Sequence, residues 1–307
     1  MVQSVPQCES ECAGATVGSA GQRRLIDCAR CGFIHVVPLP GFAEIRKLYQ
    51  ESFYEKDIPD YIPKFERERE YWFAVYHERL AVAERLLGKR AMRVLDIGSS
   101  IGFFLRVAKD RGWGTQGIEP SRTAARYAQK SGVETINDVV ENVSAAQLGR
   151  YSLVHMSFVL EHVLAPHDLL DTCERLLEQG GVVCIEVPNE FSPLQEIVVN
   201  RMGKQPYWIT DGIVPHHLNY FNHSSLRGLL ERHGFKVVHE TATFPMELFL
   251  LMGEDYVGND DVGSHAHSKR VALEMHLLKG NSALKTRLYE KFAQVGIGRE
   301  VITFATK

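Results

Sequence analysis

No stretch of this chain approaches the roughly 18 consecutive apolar residues that a membrane-crossing helix needs, and its first residues hold no basic segment followed by an apolar one. A soluble, cytoplasmic protein with no membrane partner is therefore expected. An excess of charge of one sign is lacking too: 35 Lys and Arg stand against 38 Asp and Glu, a net charge of −3. That balance leaves neither the basic footprint of a nucleic-acid binder nor a surface suited to anionic lipid. No internal repeat or low-complexity tract is evident, so nothing points to a repeat array. What remains is 307 residues, 45% of them apolar, enough for one large or two small domains with a sizeable core.

Cysteine is scarce, six in all, but four lie in the first 31 residues. Cys8 and Cys12 form CxxxC and Cys28 and Cys31 form CxxC, with 15 residues between the pairs. In a cytosolic setting such spacing points to a metal rather than to disulfides. Four thiolates suit a tetrahedral structural zinc, with two knuckles joined by a short hairpin around Gly18 to Leu25. Residues 1–40 would then be a zinc ribbon whose folding energy comes largely from the metal. Cys173 and Cys184 fall on a helix and a strand and read as core residues.

The segment Val94-Leu-Asp-Ile-Gly-Ser-Ser-Ile-Gly102 is a short apolar strand running into a glycine-interrupted turn. That arrangement delivers a ligand to a helix N-terminus. Gly117-Ile118-Glu119-Pro120-Ser121 follows as a second strand ending in an acid, placed to accept from a ribose diol. An adenosine-containing cofactor is implied. Dinucleotide folds prefer GxGxxG, because a pyrophosphate must approach the helix closely. Here the spacing is DxGxxxG, on Asp96, Gly98 and Gly102.

This segment resembles motif I of class I S-adenosylmethionine (SAM) methyltransferases, where the turn holds the amino-acid end of the cofactor. Further segments follow in the order that this family shows: Tyr151 to Ser157, Val159-Leu-Glu-His-Val163, Gly180 to Asn189, His217-Leu-Asn-Tyr-Phe221, Ser225 to Phe235 and Gly298 to Lys307. The LEHV and HLNYF segments resemble those of the group containing the ubiquinone-pathway O-methyltransferases. The resemblance implies an α/β fold: a Rossmann-like class I methyltransferase sheet over residues 91–307, mostly parallel with its last strand antiparallel. It also implies a SAM site on Asp96, Gly98, Ser99, Ser100, Gly102, Phe103, Glu119, Pro120, Ser121 and Ser157. Ser100 stands where the family has a glycine, adding a Cβ and a hydroxyl beside the expected methionine carboxylate. Asp138 is a further guess for the adenine pocket.

A four-cysteine ribbon ahead of such a domain resembles the sugar C-methyltransferases. Those enzymes carry a third, carboxy-terminal domain, which is expected to be missing here. Their Tyr-His-Glu-His segment corresponds to Val214-Pro-His-His217, which keeps only the final histidine, so carbon methylation is not carried over with it.

Methyl transfer from a sulfonium is an in-line displacement that needs alignment and, for a hydroxyl acceptor, a base. Histidine suits that role. His217 is the first candidate and His162 the second, with Glu161, Asn189, His216 and Tyr220 lining the same pocket. The expected partner is a small hydroxylated metabolite or sugar conjugate, with oxygen favoured over carbon and nitrogen. A metal-assisted transfer through His216, His217 and a carboxylate finds no recognisable ligand spacing. An NAD-dependent oxidoreductase and a non-catalytic scaffold with a partner-binding ribbon are the readings from other classes.

Residues 41–90 are expected to hold a linker and lid helices. Phe65, Trp72, Phe73, Tyr76, Leu80, Ala83 and Leu87 recur at helical spacing, predicting one long helix over Lys64 to Leu87. Tyr54, Tyr61, Tyr71 and Trp72 are the lid candidates. The segment Pro245 to Gly296 reads as a helical insertion for substrate enclosure or a homodimer contact, with His265 and His267 as solvated residues of a glycine- and aspartate-rich loop.

Overall fold

The computed structural model describes residues 14–20, 23–49, 60–88, 92–203 and 217–307. An amino-terminal hairpin and strand, β1 (Gly14–Ala20), β2 (Arg23–Cys28) and β3 (Phe33–Val37), precede three helices, α1 (Phe42–Lys47), α2 (Tyr61–Arg67) and α3 (Arg69–Leu87). Alternation then begins with β4 (Arg93–Ile97), α4 (Phe103–Asp110), β5 (Gly114–Ile118), α5 (Arg122–Lys130) and β6 (Thr135–Ile136). It continues with α6 (Ala145–Leu148), β7 (Tyr151–Ser157), α7 (Pro166–Leu176), β8 (Leu177–Pro188) and α8 (Pro193–Met202). After β9 (Asn219–Tyr220) come α9 (His223–Arg232), β10 (Lys236–Ala242), α10 (Glu247–Leu251), α11 (Asp260–Gln294) and β11 (Glu300–Thr306).

Seven strands form the main sheet in the order β10-β11-β8-β7-β4-β5-β6. The strands from β4 to β8 pair in parallel, and β11 runs antiparallel to both β8 and β10. The expected α/β sheet is therefore present, with its last strand reversed. Six of the seven residues of β7 are buried, as are Val94 to Ile97 of β4. Covered on both faces, these strands read as continuous apolar runs rather than alternating ones. One face packs on α3 and α4 through Leu80, Ala83, Phe104, Leu105, Ile302 and Phe304. The other packs on α7 and α9 through Leu169, Leu170, Leu226 and Leu229. Each such leucine, isoleucine or phenylalanine contributes roughly 1.5–3 kcal/mol by leaving water.

Chain order reverses at β4, whose neighbours are β5 and β7, and a crevice opens there at the carboxyl ends of the strands. Capping defines the surrounding helix starts. Ser121 accepts from the Ala124 amide at the head of α5, while Ser192 with Gln195 and Asn222 with Ser225 form capping boxes for α8 and α9.

A second, four-stranded sheet has the order β1-β2-β3-β9. Its outer member β9 belongs to the His217–Phe221 segment, and β3 pairs with it at Ile34 to Tyr220 and His35 to Asn219. The amino-terminal strands are thus sewn onto the rest of the protein.

Two expectations need correction. The predicted single helix over Lys64 to Leu87 is two, broken at Glu68 (φ −97°, ψ 15°). Ring packing accounts for the bend: Phe65 stacks on Tyr61 at 4.3 Å and on Trp72 at 4.6 Å, and the Trp72 indole donates to Glu68 at 3.3 Å. Likewise His265 and His267 lie inside α11, capped by Asn259, rather than in a loop. His265 is exposed, whereas His267 pairs with Glu68 at 2.9 Å. The helix is interrupted at Asn281 (φ −160°, ψ 84°).

Candidate active site

The crevice beside β4 holds a cavity of about 440 Å³. Its floor is the turn after β4. Gly98 takes φ 71°, and a Cβ there would meet Val159 Cγ2 at 2.5 Å, so the glycine lets the Val159–Val163 segment fold over the turn. Ser100 also adopts a left-handed conformation, φ 49°. For a non-glycine residue this costs about 1–2 kcal/mol. Two contacts hold it: its amide donates to Glu119 Oε2 at 2.7 Å, and its hydroxyl lies 3.2 Å from the Tyr61 hydroxyl. The serine that departs from motif I therefore occupies a position whose geometry favours glycine, and its side chain reaches Tyr61 of α2.

Glu119 ends β5, 3% exposed, and its second oxygen accepts from the Ser121 amide at 2.8 Å. Burial pushes its carboxyl up, the two amide donors pull it back, and the result is about 7. Neither Arg122 nor Arg126 pairs with it among the described residues. Asp96, at the end of β4, meets His155 Nδ1 at 2.6 Å. Arg79 of α3 donates to His155 Nε2 at 3.2 Å, so the imidazole carries its proton at Nδ1 and donates it to Asp96. Arg79 also grips Glu186 in a bidentate pair of 2.7 and 2.8 Å, and Ser157 donates to the same carboxylate. This buried chain fastens α3 to three strand ends.

The opposite wall is aromatic, formed by Tyr49, Tyr61, Phe65, Trp72 and Tyr76, and Phe158 stands at its edge in a left-handed conformation (φ 56°). His162 lines the cavity too, and His217 stands beside it outside the lining, as does Glu161, with the two imidazole centroids 5.0 Å apart. His217 Nδ1 is 3.1 Å from Glu190 Oε1, and the Tyr49 hydroxyl is 2.8 Å from His162 Nδ1. Burial lowers the His217 pKa, but the charge and hydrogen bond of Glu190, together with Glu161, outweigh it and the net direction is upward. The Val159–Val163 and His217–Phe221 segments are stitched together. Asn219 donates to the Leu160 and Val163 carbonyls at 3.1 and 2.8 Å, and the Leu218 and Asn219 amides donate to the Glu161 carbonyl.

The sequence model of one family, described as a methyltransferase domain, matches residues 65–240, more than half of the chain. The chain belongs to that family. Its curated relatives include the C-methyltransferase NovU of Streptomyces niveus, 31% identical over 150 residues, covering 47% of this chain and 33% of that protein. A ubiquinone biosynthesis O-methyltransferase of Escherichia coli O7:K1 is 32% identical over 114 residues, 35% of this chain and 48% of that protein. The chain thus spans a third to about half the length of these relatives. Among solved structures, the plantazolicin methyltransferase BpumL in complex with SAH matches with a TM-score of 0.52 at 14% identity, over 86% of this chain and 94% of that one. At that identity the likeness extends to the fold.

Within this methyltransferase domain, Asp96, Gly98, Ser99, Ser100, Phe103, Glu119, Pro120 and Ser157 line the cavity. Gly102 and Ser121 stand just behind it, as the N-caps of α4 and α5. Asp138 turns away, accepting from the Val139 amide and from Asn142, and Val139 to Glu141 line the wall in its place. Of the lid candidates, Tyr61 and Trp72 face the cavity, and Tyr71 instead donates to Glu274 at 2.9 Å. Asn189 is fully buried and spent on the Gly296 and Gly298 carbonyls, at 3.1 and 3.0 Å, so it lines neither large cavity. Tyr220 is buried within β9, its ring 6.3 Å from His217. Cys173 and Cys184 are core residues whose thiols burial pushes up to about 12. Tyr54, His216, Cys8 and Cys12 lie outside the described residues. Sequence reasoning missed Tyr49, Glu190 and Arg79, none of which sits in a motif that marks it, and His155, which lies within the Tyr151 to Ser157 segment but was not singled out there.

Cys28, Cys31 and His35 are buried and offer one ligand atom each, all within 4.8 Å of one another. His35 was not foreseen. Its Nδ1 faces the Val36 carbonyl at 3.0 Å. No helix among the described residues is long and apolar enough to cross a membrane.

Proposed function

We propose that this domain transfers a methyl group from SAM to a hydroxyl of a small metabolite or sugar conjugate. The observation that carries this is a cavity floored by the Gly98–Ser100 turn and the buried carboxylate of Glu119, with His162 in its wall and the carboxylate-paired His217 in ring contact with His162. The residues fit the cofactor. Ser99 Oγ is buried without a partner, and Glu119 keeps lone pairs beyond the two amides it accepts from. Glu119 and Pro120 would hold the ribose, the Gly98–Ser100 turn the amino-acid end, and Val139 to Glu141 the adenine side.

When bound, SAM supplies a methyl group on a sulfonium that leaves as a neutral thioether. His217 Nε2 takes the proton of the acceptor hydroxyl as its oxygen forms the new bond to carbon. Glu190 holds the opposite nitrogen and stabilises the imidazolium. Tyr49 and His162 orient the acceptor, and the aromatic wall excludes water. Methylation at carbon is the second reading, supported by the match to the C-methyltransferase NovU. The same histidine would then remove a proton from carbon.

Cys28 and Cys31, with Cys8 and Cys12 or with His35, would hold a structural zinc. Leu273, Leu284 and Leu288 stay exposed on α11, which supports a homodimer contact there. Calorimetric titration with S-adenosylhomocysteine tests the central claim, and absence of binding at millimolar concentration would overturn it. With an acceptor in hand, His217→Ala should lower kcat by about 100-fold or more at unchanged cofactor affinity. Unchanged turnover would remove His217 from the mechanism.

A further inference from the structure

A second cavity, of about 310 Å³, lies between α3, α11 and the strands β10 and β11. Small-molecule sites occupy roughly 300–1,000 Å³. Trp72 and Phe158 border this cavity and the first one alike, but neither the glycine turn nor Glu119 reaches it. Its lining is strongly charged. Arg79 is spent on Glu186, and Lys285 pairs with Glu78 at 2.5 Å. Arg270 differs from both: it is 8% exposed, and no carboxylate pairs with it among the described residues.

A guanidinium taken out of water without an anion beside it is costly. The Arg270 group donates from Nη2 to His267 Nδ1 at 3.2 Å, and its Nε is buried without a hydrogen-bond partner. It is nonetheless held in place. His267 donates from Nε2 to Glu68 at 2.9 Å, which leaves Nδ1 to accept from Arg270, and the guanidinium carbon stands 5.7 Å from the centre of the Tyr71 ring. Glu274 and Glu300 face the same cavity but accept from the Tyr71 and Thr243 hydroxyls. Burial pushes the Glu300 carboxyl up to about 7 against the pull of Arg270 and Arg299, so near neutral pH it offers Arg270 less than a full charge.

We infer that this second cavity binds a small hydroxylated monocarboxylate, with the carboxylate on Arg270 and the hydroxyls on Glu274 and Glu300. A planar guanidinium fork matches a carboxylate, and the hydrogen bonds between them are charge-assisted. The lone pairs that Glu274 and Glu300 keep beyond one hydroxyl each call for donors on the same molecule. A phosphate dianion suits the cavity less well, because four carboxylates line it. Such binding does not rest on methyl transfer.

The test is calorimetric titration of the full chain with gluconate, and with glucitol, which carries the hydroxyls without the charge. Wild type and His265→Ala should bind gluconate saturably at millimolar concentration, and glucitol about tenfold more weakly or worse. Arg270→Gln should lose about tenfold or more in gluconate affinity, with a thermal transition that shows it folded. Ser282 is exposed where it lines the cavity, so Ser282→Trp should obstruct entry and weaken gluconate binding too, and it serves if Arg270→Gln does not fold. No saturable gluconate binding by wild type, equal binding of glucitol, or undiminished gluconate binding by the folded variants overturns the site. Because Trp72 and Phe158 border both cavities, the titration is repeated with saturating S-adenosylhomocysteine. Gluconate should still bind, and its displacement would place it in the first cavity and overturn the assignment.

Discussion

Cofactor affinity should follow the ionisation of Glu119. Buried at the end of β5, its carboxyl titrates at about 7, because burial outweighs the two amides that donate to it. A ribose diol donates hydrogen bonds, so the carboxylate form binds and the neutral form does not bind as well. The apparent dissociation constant should rise as pH falls, by about 10-fold at pH 6 relative to pH 8 and towards about 100-fold at pH 5. The rise has a ceiling. Two hydrogen bonds to a charged acceptor are worth about 1.5 kcal/mol each, so losing both costs about 3 kcal/mol, roughly 150-fold. Glu119→Gln should sit near that ceiling at every pH. The same group acts on folding with the opposite sense: its folded pKa lies above the unfolded 4.5, so the folded state holds the proton more tightly. The stability it contributes is therefore present below about pH 4.5 and lost as pH rises to 7, about 3 kcal/mol in all. Calorimetry with S-adenosylhomocysteine from pH 5.5 to 8.5, on wild type and Glu119→Gln, measures the binding side, and urea denaturation the other. A wild-type affinity flat across that range, or a Glu119→Gln protein that binds as wild type does, would refute the assignment of Glu119 to the ribose.

Arg79→Met strands the buried Glu186 carboxylate and should cost about 3–5 kcal/mol in urea denaturation, much of it recovered in Arg79→Met/Glu186→Gln; a loss under about 1 kcal/mol would contradict the pairing. Burial pushes Glu186 up, yet Arg79 and Ser157 hold it below its ordinary value, so its stabilisation is lost as pH falls below about 4.5. Ser100→Gly should stay within about 1 kcal/mol of wild type in thermal unfolding, because the backbone there is left-handed, whereas Ser100→Val should lose about 2 kcal/mol or more. Protein purified without chelator should carry about one zinc by elemental analysis, lost in Cys31→Ser along with protease resistance of the amino-terminal strands; a metal-free wild type would remove the ribbon assignment.

Much of the central sheet is legible because its signals are local. Asp96, Gly98 and Glu119 are placed by strand ends and turns within a few residues of each, and they line the cavity. What escapes is carried by contacts between distant segments. Arg79 and Glu186 are separated by 107 positions, and nothing near either announces a partner. Asn189 looks like a pocket residue from its place after β8, but its amide is taken by the glycine-rich turn before β11. The break at Glu68 arises from ring stacking among Tyr61, Phe65 and Trp72, whose periodicity alone suits an unbroken helix. His35 joins Cys28 and Cys31 because β3 turns back beside the CxxC knuckle, where cysteine spacing gives no hint of a histidine.

The two-residue pairing of β3 with β9 makes the amino-terminal sheet a template rather than an appendage. A one-residue slip in that register would exchange the faces of Asn219 and Tyr220. Asn219 would then leave the carbonyls of Leu160 and Val163, and the two site segments would part. A chimera carrying a foreign ribbon could fold in both halves and still be inert. Its success would turn on whether the grafted edge strand reads out Ile34 and His35 against Tyr220 and Asn219, so the ribbon and the methyltransferase domain can be exchanged only as a matched pair.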